Sequence, residues 1–339
     1  MLQLKKTVIT ISIALLLVIA AAAFGYLDLI RYGHRPVGNG AGRRLVTVEP
    51  GVGFSVVTDR LAKAGFVRLP WRFKLLARLK GYDKRIKAGE YFLSALQSPI
   101  EILETMVAGK VYLRKLTVPE GFNLEQIAAL VDSRQFASGK DFIAAAHDAR
   151  LLQELKLDAD SFEGYLFPDT YFFPGSITVR QIIATMFRRF RQVIRPEWLD
   201  RAGELSLSVH QVVTLASMIE KETGDPRERP IISSVFHNRL KKRMRLASDP
   251  TVIYGIDDFD GNLTRRHLKD PHPYNTYQHK GLPPGPIANP GAASIEAALY
   301  PADTLYLYFV SKKDRTHQFS ANIRDHNRAV RKYQLRRRK

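Results

Sequence analysis

A chain of 339 residues is long enough for two packed units plus a short extra segment, at about 100 to 200 residues per domain. It has no cysteine, which excludes disulfides and thiolate metal sites and leaves the redox compartment open. The formal net charge of +19, from 52 Lys and Arg against 33 Asp and Glu, is either a solvated basic surface or a match for polyanionic surroundings: anionic lipid, acidic wall polymer or nucleic acid.

Residues 1–6 include Lys5 and Lys6, and residues 7–27 then carry no charge. As a helix rising about 1.5 Å per residue, that run matches a hydrocarbon core of roughly 30 Å and reads as one membrane span. The positive-inside rule keeps residues 1–6 in the cytoplasm, although Arg31 and Arg35 on the far side pull the other way. The small residues Ala20 to Ala23 allow a cleaved signal peptide, but the run is longer than a usual signal core and leads into Tyr26, an interface aromatic. Either way the bulk of the chain faces the extracytoplasmic side of the plasma (inner) membrane, which argues against nucleic acid as a partner.

Residues 28–44, glycine-rich from Gly33, have no apolar period and read as a tether. Folding begins near Leu45, where LVTVEPGVGFSVVTDRLAKAGF (residues 45–66) returns as KLTVPEGFNLEQIAALVDSRQF (residues 115–136). Thr47, Gly51, Phe54, Val57, Leu61 and Phe66 match Thr117, Gly121, Leu124, Ile127, Val131 and Phe136, which points to an internal duplication. Each copy reads as a strand, a glycine turn and an amphipathic helix. The pattern resembles the LysM module, which grips N-acetylated glycans; a generic strand-turn-helix opening each repeat is the other reading. Residues 45–160 are taken as this region and residues 161–339 as a second unit, entered through the aromatic, proline-rich EGYLFPDTYFFPG of residues 163–175, whose role reads as packing.

Beyond it, HQVVTLASMIEKETGDPRERP begins at His210, with residues 212–219 apolar nearly all round, as in a buried helix. Gly224 and Pro226 should end that helix, leaving Glu220 and Glu222 in its last turn at the negative end of the macrodipole. Partial burial there disfavours a carboxylate, as a general acid requires. At helical spacing Val213, Ala216 and Ser217 share the face of Glu220, and a bulky sugar could approach over these small residues. Glu222 is the better placed to pair with Arg227, Arg229 or a backbone donor.

Two later segments offer a binding groove. Asn238, Ser248, Asp249, Thr251 and Tyr254 supply hydrogen-bonding groups in the first; Tyr274, Asn275, Thr276 and Tyr277, then the stiffening Pro283 and Pro284, form the second. Rings beside amides and hydroxyls suit a pyranose, which has an apolar face and a polar rim. His267, His272 and His279 lie close together, but solvent-facing or capping roles outweigh a metal site, and no cofactor is expected. The chain has no GxSxG, no GxxxxGK[ST] and no HExxH. A late strand over residues 305–310, a terminal helix and a frayed basic tail, residues 336–339, complete the reading.

The strings ASMIEKETGDPRERPIISSVFHNRL, MRLASDPTVIYGI, YNTYQHKGLPPGPIANPG and LYFV resemble the YceG-like family of endolytic murein transglycosylases. The resemblance implies a single-pass membrane enzyme of the α+β class: a transmembrane helix, duplicated LysM-like strand-helix modules, then a mixed catalytic domain with a buried glutamate-bearing helix. It implies that Glu220, first glutamate of EKET, is catalytic and that the other motif residues line a glycan groove. It also implies lyase chemistry on the β-1,4 bond between N-acetylmuramic acid and N-acetylglucosamine, leaving 1,6-anhydro ends. Peptidoglycan strands, the membrane and peptidoglycan synthases are the implied partners, with a role in terminating nascent strands. Two rivals stay open: a two-carboxylate muramidase using Asp249 or another acid, and a non-catalytic wall-binding anchor.

Overall fold

The computed structural model describes residues 2–38 and 42–335. Residues 39–41 of the expected tether and the basic tail, residues 336–339, lie outside the described residues. The architecture is mixed α+β, in two compact units: Met1–Arg114 with Phe172–Ser176, and Lys115–Tyr171 with Ile177–Lys339. The sequence reading puts the division near residue 160, whereas the two copies of the repeat fall in different units.

The first unit starts with α1 (Leu2–Gly33), whose stretch Lys5–Gly33 is long and apolar enough to cross a membrane. The helix does not give way to a tether at residue 28. Its last turns dock on the folded part: Leu29 is 4% exposed in the core, and Asp28 pairs with Arg72 at 2.9 Å. There follow β1 (Arg44–Val48), α2 (Phe54–Lys63), α3 (Pro70–Leu79), β2 (Gly89–Leu93) and α4 (Pro99–Ala108). β1 and β2 pair antiparallel from Arg44↔Leu93 to Val48↔Gly89. Their alternate residues Val46, Val48, Tyr91 and Leu93 meet Val57, Leu61, Phe73, Leu76 and Met106 from the helices, the period-2 face of a ribbon closing on period-3.6 stripes. The chain leaves along β3 (Leu113–Thr117) and returns along its partner β4 (Thr170–Pro174).

The second unit opens on the second repeat. Its helix α5 (Leu124–Ser133) starts from a capping box in which Asn123 and Gln126 satisfy each other's backbone N–H groups. Gly121 turns the chain at φ 75°, as Gly51 does at 79° in the first copy, a conformation that costs a side-chain-bearing residue energy. Then come α6 (Gly139–Ala146), α7 (Ala149–Leu155), α8 (Val179–Val193), α9 (Pro196–Glu204), α10 (Val209–Glu222), α11 (Arg229–Lys241), α12 (Asp249–Tyr254), α13 (Ala292–Leu299), the hairpin β5 (Tyr308–Ser311) and β6 (His317–Ser320), and α14 (Ile323–Val330). α10 is the central element and packs along α13 and α11. The late strand lies further on than residues 305–310. Leu305 is 84% exposed and Asn238 Nδ2 ties down the Thr304 and Tyr306 carbonyls, so pairing begins only at Tyr308.

Candidate active site

Ser208 and Gln211 cap the start of α10, and every residue from Val212 to Ile219 is buried. Thr223 leaves the helix in an extended conformation, so Glu220 projects from the last turn. Its side chain is 7% exposed, with Arg229 Nη2 3.1 Å from Oε1. The Gly291 N–H donates to Oε2 at 3.0 Å. Arg229, the first residue of α11, is itself 10% exposed and also reaches Glu120 Oε2 at 3.5 Å. Burial, and then the negative charge of Glu220, push the Glu120 carboxyl above its usual range against the opposing pull of Arg229. Gly291 makes this crowding feasible, since a Cβ there would fall onto the Glu120 carboxylate.

Three expectations change here. Arg229 pairs with Glu220 rather than Glu222, because α11 begins under the end of α10. Arg227 goes to Asp225, at 2.8 Å. The face of Val213, Ala216 and Ser217 is no approach path for a sugar: all are fully buried, and Ser217 Oγ accepts the Ile287 N–H at 3.0 Å from the proline-rich segment laid over it.

Glu222 points to the other side, where Ser248 Oγ donates to it at 2.5 Å. Burial raises its carboxyl to about 7, the Ser248 bond opposing. Ser248, Thr251 and Thr276 are buried and mutually bonded, the two threonine hydroxyls 2.8 Å apart and the Ser248 N–H 3.0 Å from Thr276 Oγ1. Tyr277 donates to Asp249 at 2.7 Å. Asn275 holds the His267 and Asp270 carbonyls. These residues lock one loop to another behind the helix end. Pro283 is buried; Pro284 is exposed, and its carbonyl contacts His210 Nε2 at 2.8 Å.

An open groove of about 1090 Å³ lies beside the helix end, lined among others by Asn123, Glu125, Glu163, Lys221, Tyr254 and Tyr274. Of the expected binding residues, Tyr254 and Tyr274 line it, their ring centres 4.8 Å apart. Tyr274 and Pro284 also line an adjoining hollow of about 270 Å³ with His210 and Glu163. Glu220 is set back from the groove wall, while its neighbour Lys221 lies in that wall and donates to the Gly121 carbonyl at 3.2 Å.

Sequence reasoning passed over Glu163. It is 4% exposed, with Oε2 accepting from the Leu124 N–H at 3.0 Å and the Tyr254 hydroxyl at 3.2 Å, and Oε1 accepting from Asn289 Nδ2 at 3.2 Å. Burial lifts its carboxyl to about 7, the Leu124 and Tyr254 bonds opposing. Asn289, fully buried, also donates from Nδ2 to the Phe122 carbonyl at 2.9 Å and accepts the Leu166 N–H at 2.8 Å. The segment carrying Gly291 is thereby tied to the turn of the repeat that carries Glu120. An acidic residue amid aromatics, where packing alone would favour an apolar one, was the available signal.

Among the described residues no group of three His, Asp or Glu side chains is placed to hold a metal. His267, His272 and His279 each contact backbone atoms of their own loop.

The YceG-like family matches residues 46–332. The chain belongs to that family. It is 34% identical to an endolytic murein transglycosylase of Bacillus subtilis, over 85% of this chain and 84% of that protein. It is 29% identical to one of Streptococcus pneumoniae, over 96% of this chain but 65% of that longer protein. A crystal structure of a YceG-like protein from Listeria monocytogenes aligns with a TM-score of 0.60 at 33% identity, over 84% of this chain and 98% of that one.

Proposed function

We propose that the chain is a membrane-anchored endolytic lytic transglycosylase of peptidoglycan in which Glu220 is the acid and base. The observation that carries this is a carboxylate 7% exposed at the end of an apolar helix, held by Arg229 and the Gly291 N–H, in a chain whose relatives are named for that activity. The protonated Glu220 carboxyl gives its proton to the oxygen of the β-1,4 bond between N-acetylmuramic acid and N-acetylglucosamine. The C1–O bond breaks, the C6 hydroxyl of the same muramic residue bonds to C1, and its proton returns to Glu220. No water is consumed, so no second carboxylate is required. Arg229 also reaches Glu120, so its charge is shared between two carboxylates at the helix end.

The tyrosines of the groove give sugar rings apolar faces to stack on, and Asn123 and Lys221 present polar groups beside them. α1 is the anchor, placing residues beyond it outside the plasma membrane. The repeats act as LysM-like glycan grips, a reading supported by the same strand, glycine turn and helix in each. Cleavage close to the membrane suits the termination of nascent strands beside peptidoglycan synthases.

A second reading gives the proton to Glu163, which lines the groove and has its carboxyl raised to about 7. Three donors already occupy its oxygens, which favours a positioning role. The test is digestion of purified peptidoglycan by the full chain, with mass analysis of the new ends. Anhydro-muramyl ends support the proposal; reducing ends would make the protein a hydrolase, and no new ends would leave the non-catalytic anchor. Loss of cleavage in Glu163→Gln but not Glu220→Gln would transfer the role to Glu163.

A further inference from the structure

α3 is apolar on two opposite faces, and only one of them is used by the core. Phe73, Leu76 and Ala77 are buried among the helices and the β1–β2 ribbon of the first unit. On the outer side Trp71, Leu75 and Leu79 follow one another at every fourth position and are 61%, 43% and 58% exposed. Residues four apart lie above one another on a helix, so these side chains form one stripe. An exposed helix in water ordinarily carries charge there, and a contiguous apolar patch marks a surface that meets something apolar.

What meets it follows from where α3 is attached. Arg72 of α3 pairs with Asp28, the first charged residue after the apolar run of α1, at 2.9 Å. The Tyr32 hydroxyl donates to the Leu69 carbonyl at 3.3 Å. Gly33 leaves room for Leu76, whose Cδ2 would be only 3.1 Å from a Cβ at that position. α3 is thus fastened to the turn of α1 that follows immediately on Leu27, within a few helical rises of about 1.5 Å each. A second apolar surface is thereby held close to the end of the first. The residues bordering the stripe, Arg68, Arg78 and Lys80, are exposed and cationic. Tryptophan with leucines on one face and Lys or Arg at its margins is the composition of a helix lying in the headgroup layer.

We infer that α3 is an interfacial helix that sets Trp71, Leu75 and Leu79 into the outer leaflet beside α1, with Arg68, Arg78 and Lys80 on anionic phospholipid headgroups. The inference rests on α1 being a membrane anchor. With α3 seated flat, the first unit is fixed to the bilayer at two places rather than swivelling on one helix, and its height above the membrane is set.

The full chain reconstituted into vesicles of phosphatidylglycerol and phosphatidylcholine with brominated acyl chains tests this, alongside Trp71→Phe. The emission lost in Trp71→Phe is that of Trp71; the other tryptophan, Trp198, is 4% exposed and buried in the second unit. The expected result is that bromolipid quenches roughly half or more of the Trp71 emission, as for a ring at the acyl boundary, and leaves that of Trp198 unchanged. Flotation with the vesicles through alkaline carbonate reads anchoring separately. A chain that floats with Trp71 unquenched would overturn the inference and leave the anchor standing. A blue-shifted but unquenched Trp71 would do the same, assigning the stripe to a second copy or another protein. A chain that does not float would overturn the anchor and the inference with it. Equal quenching in phosphatidylcholine alone would overturn the role given to the cations.

Discussion

Arg229 stands between two carboxylates, 3.1 Å from Glu220 Oε1 and 3.5 Å from Glu120 Oε2. Carboxylates from the opening turn of the second unit and from the end of α10 are thus drawn to one guanidinium that is 10% exposed.

Removing that guanidinium leaves Glu220 and Glu120 facing each other without a counter-charge. Arg229→Ala is expected to lower cleavage at least about tenfold and to cost up to about 3 kcal/mol in urea denaturation, less than a fully buried pair because Glu120 is half exposed. Glu120→Gln added to it should return part of the stability, a coupling that a double-mutant cycle measures. Additive effects would show that the two carboxylates do not sense each other.

Glu163 makes the chain less stable as pH rises toward neutrality. Its folded value near 7 lies above the ordinary 4.5, so the folded chain holds this proton more tightly than the unfolded one. The resulting stability is present in full below about 4.5 and is lost as pH rises through about 7, on the order of 3 kcal/mol in all. Glu222, also raised to about 7, contributes in the same sense. Glu163→Gln should therefore flatten the fall in unfolding free energy across this window. An unchanged slope would remove Glu163 as its source.

Gly164 has φ +86°, and a Cβ there would press on the Pro286 ring and on Val213. Gly164→Ala forces both a left-handed alanine and an overpacked contact, for an expected loss of roughly 2–4 kcal/mol in thermal or urea unfolding. Gly224, with open space around it, is the control, and Gly224→Ala should change stability by under about 0.5 kcal/mol.

Tyr274 lines both the groove and the hollow beside it. If sugar rings stack there, Tyr274→Ala loses about 0.5–1.5 kcal/mol of binding, up to roughly tenfold in KM, with kcat much less affected. A change in kcat alone would place the ring elsewhere in the reaction.

Local features were legible in the sequence, and long-range ones were not. The spacing of Val57 and Leu61, and of Ile127 and Val131, marks the helices of the two copies, and Gly51 and Gly121 mark their turns, because periodicity and glycine act within a few residues. The run from Val212 to Ile219, with Gly224 and Pro226 after it, similarly delimits α10. Nothing local says that Arg229 takes Glu220, that a backbone N–H arrives from Gly291, or that Ile287 covers the face of Ser217. Those pairings depend on how the proline-rich segment crosses the helix. By residue type, Asn238, Ser248, Thr251, Asn275 and Thr276 read as groove donors; in the fold they bond other protein groups, Asn238 the Thr304 carbonyl and Ser248 the Glu222 carboxylate among them, since buried polar groups must find partners. Glu163 was missed because its segment has no period, only aromatic density.

The role of Glu220 is tested most directly by the rate at which the full-length chain and its Glu220→Gln variant release anhydro-muramyl ends from purified peptidoglycan, with unfolding midpoints recorded in parallel. Glutamine keeps the shape, and its single amide oxygen can accept from Arg229 or from the Gly291 N–H but not from both; it cannot give and recover a proton. Release should fall at least about a hundredfold in a variant that still unfolds cooperatively, its midpoint lowered by the broken Arg229 pair. A variant that cleaves at the wild-type rate would contradict the assignment of acid and base to this residue.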